Sequence, residues 1–586
     1  MKRLLVAIAF VAAALPGWAF TLGGRDCQSL GGQWNYIVDP MDTGIYKYHM
    51  TLQKPRKRFF ADRHFYEDRT KLVEYDFDKA PTLTVPGDWN TQSEKLYYYE
   101  GSIWYRRKLD FHPEPGRRVF LHFGAVNYKC MVGINNTIVG EHKGGFTPFC
   151  FEVTDVLKEG ENSLVVWVNN TRGVSEVPTL NYDWWNYGGI TRDVMLVSVP
   201  EVFIRDWRMH FDGREVSFEV FMDGGKSPVS IEIPELGLKG KACCGKDGVA
   251  RFCKKIKPQL WSPENPKLYD IVLSSGEDCI RDRVGFRTVK VEGEKILLNG
   301  KPVFLKGVAL HDETISANPG RCRSEADSRA LLEAARDLGC NFLRLAHYPH
   351  SEQTVRLAEE MGFMLWEELP CYWNIDWASE ETYANAENQL REMIERDYNR
   401  AAIIIWSVAN ETPRTPERLS FLGGLIAKVR AEDSSRLVSA ALEKKSPDLY
   451  HAIVSDELSE LTDILAFNQY MGWYDGTPAD CPLVEWTIPS GKPLVVSEFG
   501  GGALYGNHGS DTEMFTEEYL ALLYRKNLEM ISNFPGLSGL CPWCLKDFRS
   551  PKRPLTGIQD DFNRKGLIDE QGHRKQAFYV VKEYYK

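Results

Sequence analysis

Two hydrophobic periods divide the chain. From about Thr21 to Lys290, apolar and polar residues alternate in short runs: Ser102–Leu109, Arg118–Phe123, Met131–Ile138, Ser163–Asn169, Val194–Val199 and Val216–Met222. A period of two marks strands with one buried face, and the Gly, Asn and Pro between the runs mark turns. Such spacing predicts sandwiches. A boundary is expected near Val199-Pro200, with a jelly-roll-like sandwich over 20–199 and a small seven-strand sandwich over 200–290. After Val291 the pattern changes. Continuous apolar runs alternate with stretches of helical spacing. The runs are Val303–Val308, Asn341–Leu345, Phe363–Trp366, Ala402–Ser407, Leu437–Ala441, Asp463–Asn468, Pro493–Ser497 and Gly539–Trp543. The helical stretches are Ser324–Leu338, Ser351–Met361, Thr382–Tyr398, Pro416–Glu432 and Thr512–Asn533. Eight buried, apolar-rich strands interleaved with helices predict a (β/α)8 TIM barrel over 291–586, with its chemistry at the carboxyl ends of the strands.

The first residues form a separate pattern. Lys2-Arg3, an apolar run from Leu4 to Leu15, and Ala19 read as a secretory signal peptide over 1–19, too short to span a bilayer. An exported protein, periplasmic or extracellular and without membrane insertion, is expected. Composition adds little to the fold: of 586 residues, 43% are hydrophobic and 26% charged, an ordinary globular balance. The net charge of −10 argues against nucleic acid as a partner. Aromatics reach 12%, a share that suits both cores and sugar-facing surfaces. Thirteen cysteines are too scattered for a disulfide scaffold, and Cys541-Pro-Trp-Cys544 sits in an apolar run that reads as core. No metal or other cofactor is expected, because no dense ligand spacing occurs. Homo-oligomerisation stays open.

The strand ends carry the candidate chemistry. The fourth barrel run delivers Asn410-Glu411 and the seventh delivers Glu498, three strands away round the barrel. Two carboxyl groups facing one another across a barrel mouth can flank a glycosidic bond, one as acid and one as carboxylate.

These residues also carry a resemblance. Trp406-Ser-Val-Ala-Asn410-Glu411 and Val496-Ser-Glu498-Phe-Gly500 resemble the acid/base and nucleophile motifs of glycoside hydrolase family 2. Asn299–Val308, Asn341–Pro349 and Asp183–Ile190 resemble its barrel entry, second strand and sandwich signature. The resemblance implies a sugar-binding jelly roll, an immunoglobulin-like sandwich and a catalytic barrel. It implies a retaining double displacement, with Glu498 as nucleophile and Glu411 as acid/base. Glu411 is then expected to hold its proton near neutral pH, and Glu498 to stay ionised beside Arg344 and Tyr470. Asn410 would hold the sugar 2-hydroxyl.

Within the family, Asp561-Phe-Asn563-Arg-Lys565-Gly566 resembles the Asn-x-Lys motif of β-glucuronidases, where an amide and a cation together receive the C6 carboxylate. Asn468–Tyr474 resembles the sixth-strand motif, whose last residue, Tyr474, would also approach that carboxylate. Asp183, His311, His347 and Trp543 match sugar-contacting positions, and Trp184, Trp185 and Trp473 fall inside motifs expected near the sugar. The implied activity is exo-acting hydrolysis of β-D-glucuronides, or of glycan-derived glucuronides. The alternatives are a β-galacturonidase, a β-galactosidase or, in a different class, a non-catalytic carbohydrate-binding protein. One departure bears on C4: Gln559 stands where such glucuronidases carry Arg, leaving Arg549 or Arg553 as replacements. The short connection from Pro370 to about Thr382 predicts an open mouth suited to bulky leaving groups. Three Asn-x-Ser/Thr sequons, at Asn135, Asn169 and Asn410, are read as chance.

Overall fold

The computed structural model describes residues 21–45, 70 and 75–586. The signal peptide expected over 1–19 lies outside the described residues. The first sandwich pairs two antiparallel sheets. One orders Cys27–Ser29, Val194–Pro200, Arg117–Phe123 and Phe149–Glu152. The other has six strands, with Ser102–Phe111 and Gly160–Asn169 at its centre. The inward faces meet in one core around Trp34, Trp89, Leu121 and Val166. The second sandwich packs a three-stranded sheet on a four-stranded one around Trp207, Phe218, Ile231 and Ile271. Both keep the apolar-in, polar-out alternation of antiparallel sheets.

The barrel closes on eight parallel strands: β1 Leu305–Leu310, β2 Phe342–Leu345, β3 Met364–Glu368, β4 Ile403–Asn410, β5 Leu437–Glu443, β6 Leu465–Asn468, β7 Leu494–Phe499 and β8 Leu537–Pro542. Pairing of β8 with β1 completes the ring. Residues along β4 are buried without a break because helices cover the outside while the inside is filled. The helices are α1 Glu325–Leu338, α2 Glu352–Met361, α3 Glu380–Asp397, α4 Pro416–Glu432, a single turn α5 Leu458–Leu461, α6 Glu517–Ile531 and α7 Gln576–Tyr585. Side-chain caps fix their starts: Ser324, Ser351, Ser379, Thr415 and Thr516 each accept a backbone N–H from the first turn of α1, α2, α3, α4 and α6. No helix among the described residues is long and apolar enough to cross a membrane. Cys541 and Cys544 are buried, and all thirteen cysteines are free thiols.

The first sandwich is fastened to the barrel by buried polar contacts, and this fixes one wall of the site. The Tyr187 hydroxyl donates to Glu313 at 2.7 Å, and Lys546 reaches the other oxygen of Glu313 at 2.8 Å. Farther round, Glu392 of α3 accepts from Thr147 at 2.6 Å and meets His142 at 3.1 Å. The loop carrying Asp183 is thereby held over the barrel mouth.

Candidate active site

The carboxyl ends of the strands open on a cavity of about 490 Å³. Its floor is a network around one cation. Arg344, on β2, is completely buried. Its Nη1 donates to Glu498 Oε1 at 2.6 Å, and its Nη2 donates to Glu368 Oε1 at 2.9 Å and to Asn410 Oδ1 at 2.7 Å. His347 Nδ1 meets Glu368 Oε1 at 2.8 Å. The second oxygen of Glu498 accepts from the Tyr470 hydroxyl at 2.5 Å. The two buried carboxyl groups respond differently. Burial raises both, but the charge of Arg344 and the contact with His347 overcome it at Glu368 and bring that group down to about 2. At Glu498 burial prevails over Arg344, the charge of Glu411 adds to it, and the group is raised to about 7.

Glu411 lies just beyond β4 with φ +47°, a left-handed conformation that costs a non-glycine residue on the order of 1–2 kcal/mol. The turn projects its carboxyl into the cavity. Asn468 Nδ2 donates to Oε1 at 3.0 Å and the Trp373 indole to Oε2 at 2.9 Å. Two donors, Arg344 and Asn468, fix the orientation of the Asn410 amide, whose buried Nδ2 has no partner among the described residues. That leaves one donor available to a ligand hydroxyl.

The opposite end of the cavity is cationic. Lys565 is 4% exposed, and its ammonium donates to the Tyr474 hydroxyl at 2.8 Å. No carboxylate pairs with it among the described residues. Against burial, the Lys565 charge lowers the Tyr474 hydroxyl below the usual phenol range. Arg553 is paired to Asp183. Asp183 also accepts from Ser550 at 2.5 Å and from Asn563 Nδ2 at 3.2 Å. Burial raises the Asp183 carboxyl, but Arg553 and, at longer range, Lys565 reverse this and hold it below its ordinary value. Trp543 completes the wall, stacked on His347 with ring centres 4.7 Å apart.

The profile for glycosyl hydrolases family 2, TIM barrel domain, matches residues 289–586. The profile for the sugar binding domain of that family matches 27–200, and a third profile of the family matches 202–287. The chain belongs to glycosyl hydrolase family 2. It is a glycoside hydrolase. A Formosa agariphila protein with the provisional name β-glucuronidase is 29% identical over 566 residues. That match covers 86% of this chain but 66% of the relative's length. The structure of a β-glucuronidase from an uncultured Clostridium superposes with a TM-score of 0.81 at 25% identity, over 97% of this chain and 99% of the other. A family 2 β-galacturonidase from Eisenbergiella tayi bound to galacturonate shares the fold, with a TM-score of 0.80 at 24% identity, over 96% and 97% of the two chains.

In this family 2 barrel the residues singled out from sequence fall in two layers. Asp183, Glu411, Tyr470, Tyr474, Glu498, Trp543, Asn563 and Lys565 line the cavity. Arg344 and His347 stand one layer behind and act through the carboxyl groups they touch. Asn410 lies beside them, its oxygen held by Arg344 and Asn468 and its Nδ2 left without a partner among the described residues. His311 departs most from the expected sugar contact. It sits at the end of β1 with its ring 4.1 Å from that of Phe548, and its Nδ1 meets the Tyr348 hydroxyl at 3.1 Å. Burial lowers its pKa well below the ordinary histidine value, so it is a neutral ring in an aromatic layer. Trp184 lies in that same layer. Trp185 is farther away, packed on Tyr97 and Tyr98. Trp473 backs Lys565.

The structure also separates the two candidate arginines. Arg549 donates to Pro319 O at 3.2 Å and to Asn318 Oδ1 at 2.9 Å, in the junction with the first sandwich. Arg553 lines the cavity, and Gln559 does not. Burial and the charge of Glu411 raise Glu498 to about 7, whereas the resemblance implied an ionised Glu498 at neutral pH. The reason is that Arg344 is shared with Glu368 and cannot offset the full cost of burying Glu498. Among the residues that escaped the sequence reading, two bear on the reacting carboxyl groups, while Tyr372, Glu443, Lys444 and Asp475 also line the cavity. Glu368 was hidden in the pair Glu367-Glu368, where strand alternation sends Glu367 outward to Arg396 at 2.7 Å and Glu368 inward. Trp373 lies on the connection after β3, which carries no periodic signal.

Proposed function

We propose that the protein is a retaining, exo-acting β-glucuronidase. The observation that carries this reading is Lys565. It is a buried ammonium on the wall shared with Glu411 and Glu498, and its hydrogen-bond partner is a phenol. Burying an ammonium without a directly bonded carboxylate is costly. A sugar carboxylate would offset that cost through a charge-assisted bond, which a neutral hydroxymethyl group cannot do. Arg553 and Asn563, both held by Asp183, extend the polar receptor.

In the proposed reaction the Glu498 carboxylate attacks the anomeric carbon. The bond to the leaving oxygen breaks as Glu411 gives that oxygen its proton. Glu411 then takes a proton from water, the water oxygen bonds to the anomeric carbon, and Glu498 departs. Arg344 and Tyr470 hold Glu498 for attack and stabilise it as it leaves. The unpartnered Asn410 Nδ2 is the donor for the sugar 2-hydroxyl. Attack requires ionised Glu498, so kcat/KM falls as pH drops through about 7, the value to which burial raises that group.

A second reading is a β-galacturonidase. Gln559 replaces the expected Arg and lies off the cavity wall, while Arg553 lines the wall paired to Asp183, so C4 recognition can differ. Activity on 4-nitrophenyl β-D-glucuronide, β-D-galacturonide and β-D-galactoside separates the readings. Preference for the glucuronide supports the first and preference for the galacturonide the second. Preference for the neutral galactoside would sink both. Proton NMR of the first anomer released tests the retaining course. Export, proposed from residues 1–19, is checked by the N-terminus of protein recovered outside the cytoplasm. The connection after β3 is proposed to admit glycan leaving groups. Aryl glucuronides cleaved far faster than any glycan-derived glucuronide would contradict that.

A further inference from the structure

Both oxygens of Glu411 accept an N–H bond, and the two donors differ in kind. Asn468, which caps Oε1, is fully held: its amide oxygen accepts from Ser497 at 2.7 Å, and its Nδ2 also reaches Asn410 Oδ1 at 3.1 Å. Trp373, which caps Oε2, is half-buried and lines the cavity. Its backbone is fixed beside the catalytic strand, because Trp373 N donates to Asn410 O at 3.0 Å and Asn410 N donates to Cys371 O at 3.0 Å. Its ring is less constrained. One neighbour is Tyr372, with ring centres 4.5 Å apart, and another is the Lys552 ammonium, 4.9 Å from the ring centre. An N–H donor stabilises a carboxylate and gains little from the protonated oxygen of an acid. A proton on either oxygen makes that oxygen a poorer acceptor, so protonation is favoured where the N–H donor can give way. The indole is the one that can.

We infer that Trp373 is a positioning residue for Glu411: it holds the anionic form through Oε2 and is displaced when that oxygen carries the proton. Oε2 is then the oxygen that serves the leaving group, and the indole returns to it for the half of the reaction in which Glu411 is a base. The inference rests on the reading of Glu411 as acid/base. Other titratable groups facing Glu411 are Glu443 from β5, Glu498 from β7, Tyr470 after β6, His347 after β2 and Tyr372 after β3. Of these only Tyr372 touches the indole, as does the Lys552 ammonium, and a phenyl ring keeps an aromatic face toward both.

The test is Trp373→Phe, which keeps an aromatic wall and removes the N–H. Kinetics are measured against pH with 4-nitrophenyl β-D-glucuronide and with an alkyl glucuronide, whose leaving group needs the acid. The basic limb of kcat/KM, where the acid proton is lost, is expected to move upward by about one pH unit, the scale of one charge-assisted hydrogen bond. The alkyl substrate is expected to lose roughly tenfold more rate than the nitrophenyl substrate, on the scale of displaced general-acid catalysis. An unmoved basic limb with equal losses on both substrates would overturn the inference, because a merely structural role lowers both together. Glu411→Ala separates this failure from failure of the underlying reading. If its loss is also independent of the leaving group, Glu411 is not the acid. If its loss follows the leaving group while Trp373→Phe does not, the role of Trp373 alone is refuted. Thermal melting of Trp373→Phe reports on folding.

Discussion

The two ends of the cavity handle buried charge in opposite ways. On the floor, Arg344 is matched by Glu368 and Glu498, and nearly every donor meets an acceptor inside the protein. At the far wall, Lys565 has a phenol and no carboxylate among the described residues. The first arrangement serves geometry, since it fixes the positions of the reacting groups before substrate arrives. The second leaves a charge without a directly paired carboxylate, faced only at longer range by Asp183, so a ligand anion can complete it. Burial alone therefore does not distinguish a structural ion from a binding one. The presence or absence of a protein counter-ion does.

Perturbing each end sharpens the contrast. The largest effect is expected at Glu498, the floor residue proposed to react: Glu498→Ala should lower kcat on the order of 10⁴-fold or more. Azide should restore some turnover as a glycosyl azide, and near-normal turnover without azide would refute the assignment. Next comes Glu368. Its loss leaves Arg344 and His347 without their shared carboxylate, and breaking such a buried network costs about 3–5 kcal/mol. Glu368→Ala should melt well below the parent protein and lose activity as well. The corresponding change at the other end should separate the two properties. Lys565→Ala removes a charge that lacks a counter-ion, so the melting temperature should hold or rise. Glucuronide kcat/KM should fall about 10²–10³-fold, the scale of removing one partner from a desolvated charge pair.

The pH responses of the floor carboxyls form a smaller contrast. Glu498 is raised in the folded protein, so the folded state binds its proton more tightly than the unfolded chain does. Its contribution to stability is present below the ordinary carboxylate range and is lost as pH rises through about 7. Glu368 is lowered to about 2, so its contribution is present above the ordinary range and is lost as pH falls toward 2. Denaturation measured from pH 5 to 8 should show the Glu498 slope, and Glu498→Gln should flatten it. A slope unchanged by that substitution would contradict the assignment of the titration to Glu498.

What could be read from the sequence follows from the same physics. The barrel strands were legible because both of their faces are buried, so β4 and β7 appear as apolar-rich runs leading to Asn410-Glu411 and Glu498. The five helices read from spacing were bounded by Ser and Thr caps that the sequence displays. The closing helix α7 was not read in advance, although Phe578, Val581 and Tyr585 bury one of its faces. The site was legible where a side chain ends a strand and obscure where partners are distant in sequence. Asp183 meets Ser550, Arg553 and Asn563, more than 360 residues away, and no local pattern announces this. The choice between Arg549 and Arg553 turns on which side of one loop each occupies, a question that composition and period do not address.

The central claim is that Lys565 makes this a uronate site. The most direct test is the ratio of kcat/KM for 4-nitrophenyl β-D-glucuronide to that for 4-nitrophenyl β-D-glucoside, which differ only at C6. The ratio is measured in the parent protein and in Lys565→Ala. The account predicts a large ratio in the parent that collapses by about two orders of magnitude in the variant, through loss on the glucuronide and little change on the glucoside. An unchanged ratio, or equal losses on both sugars, would contradict it.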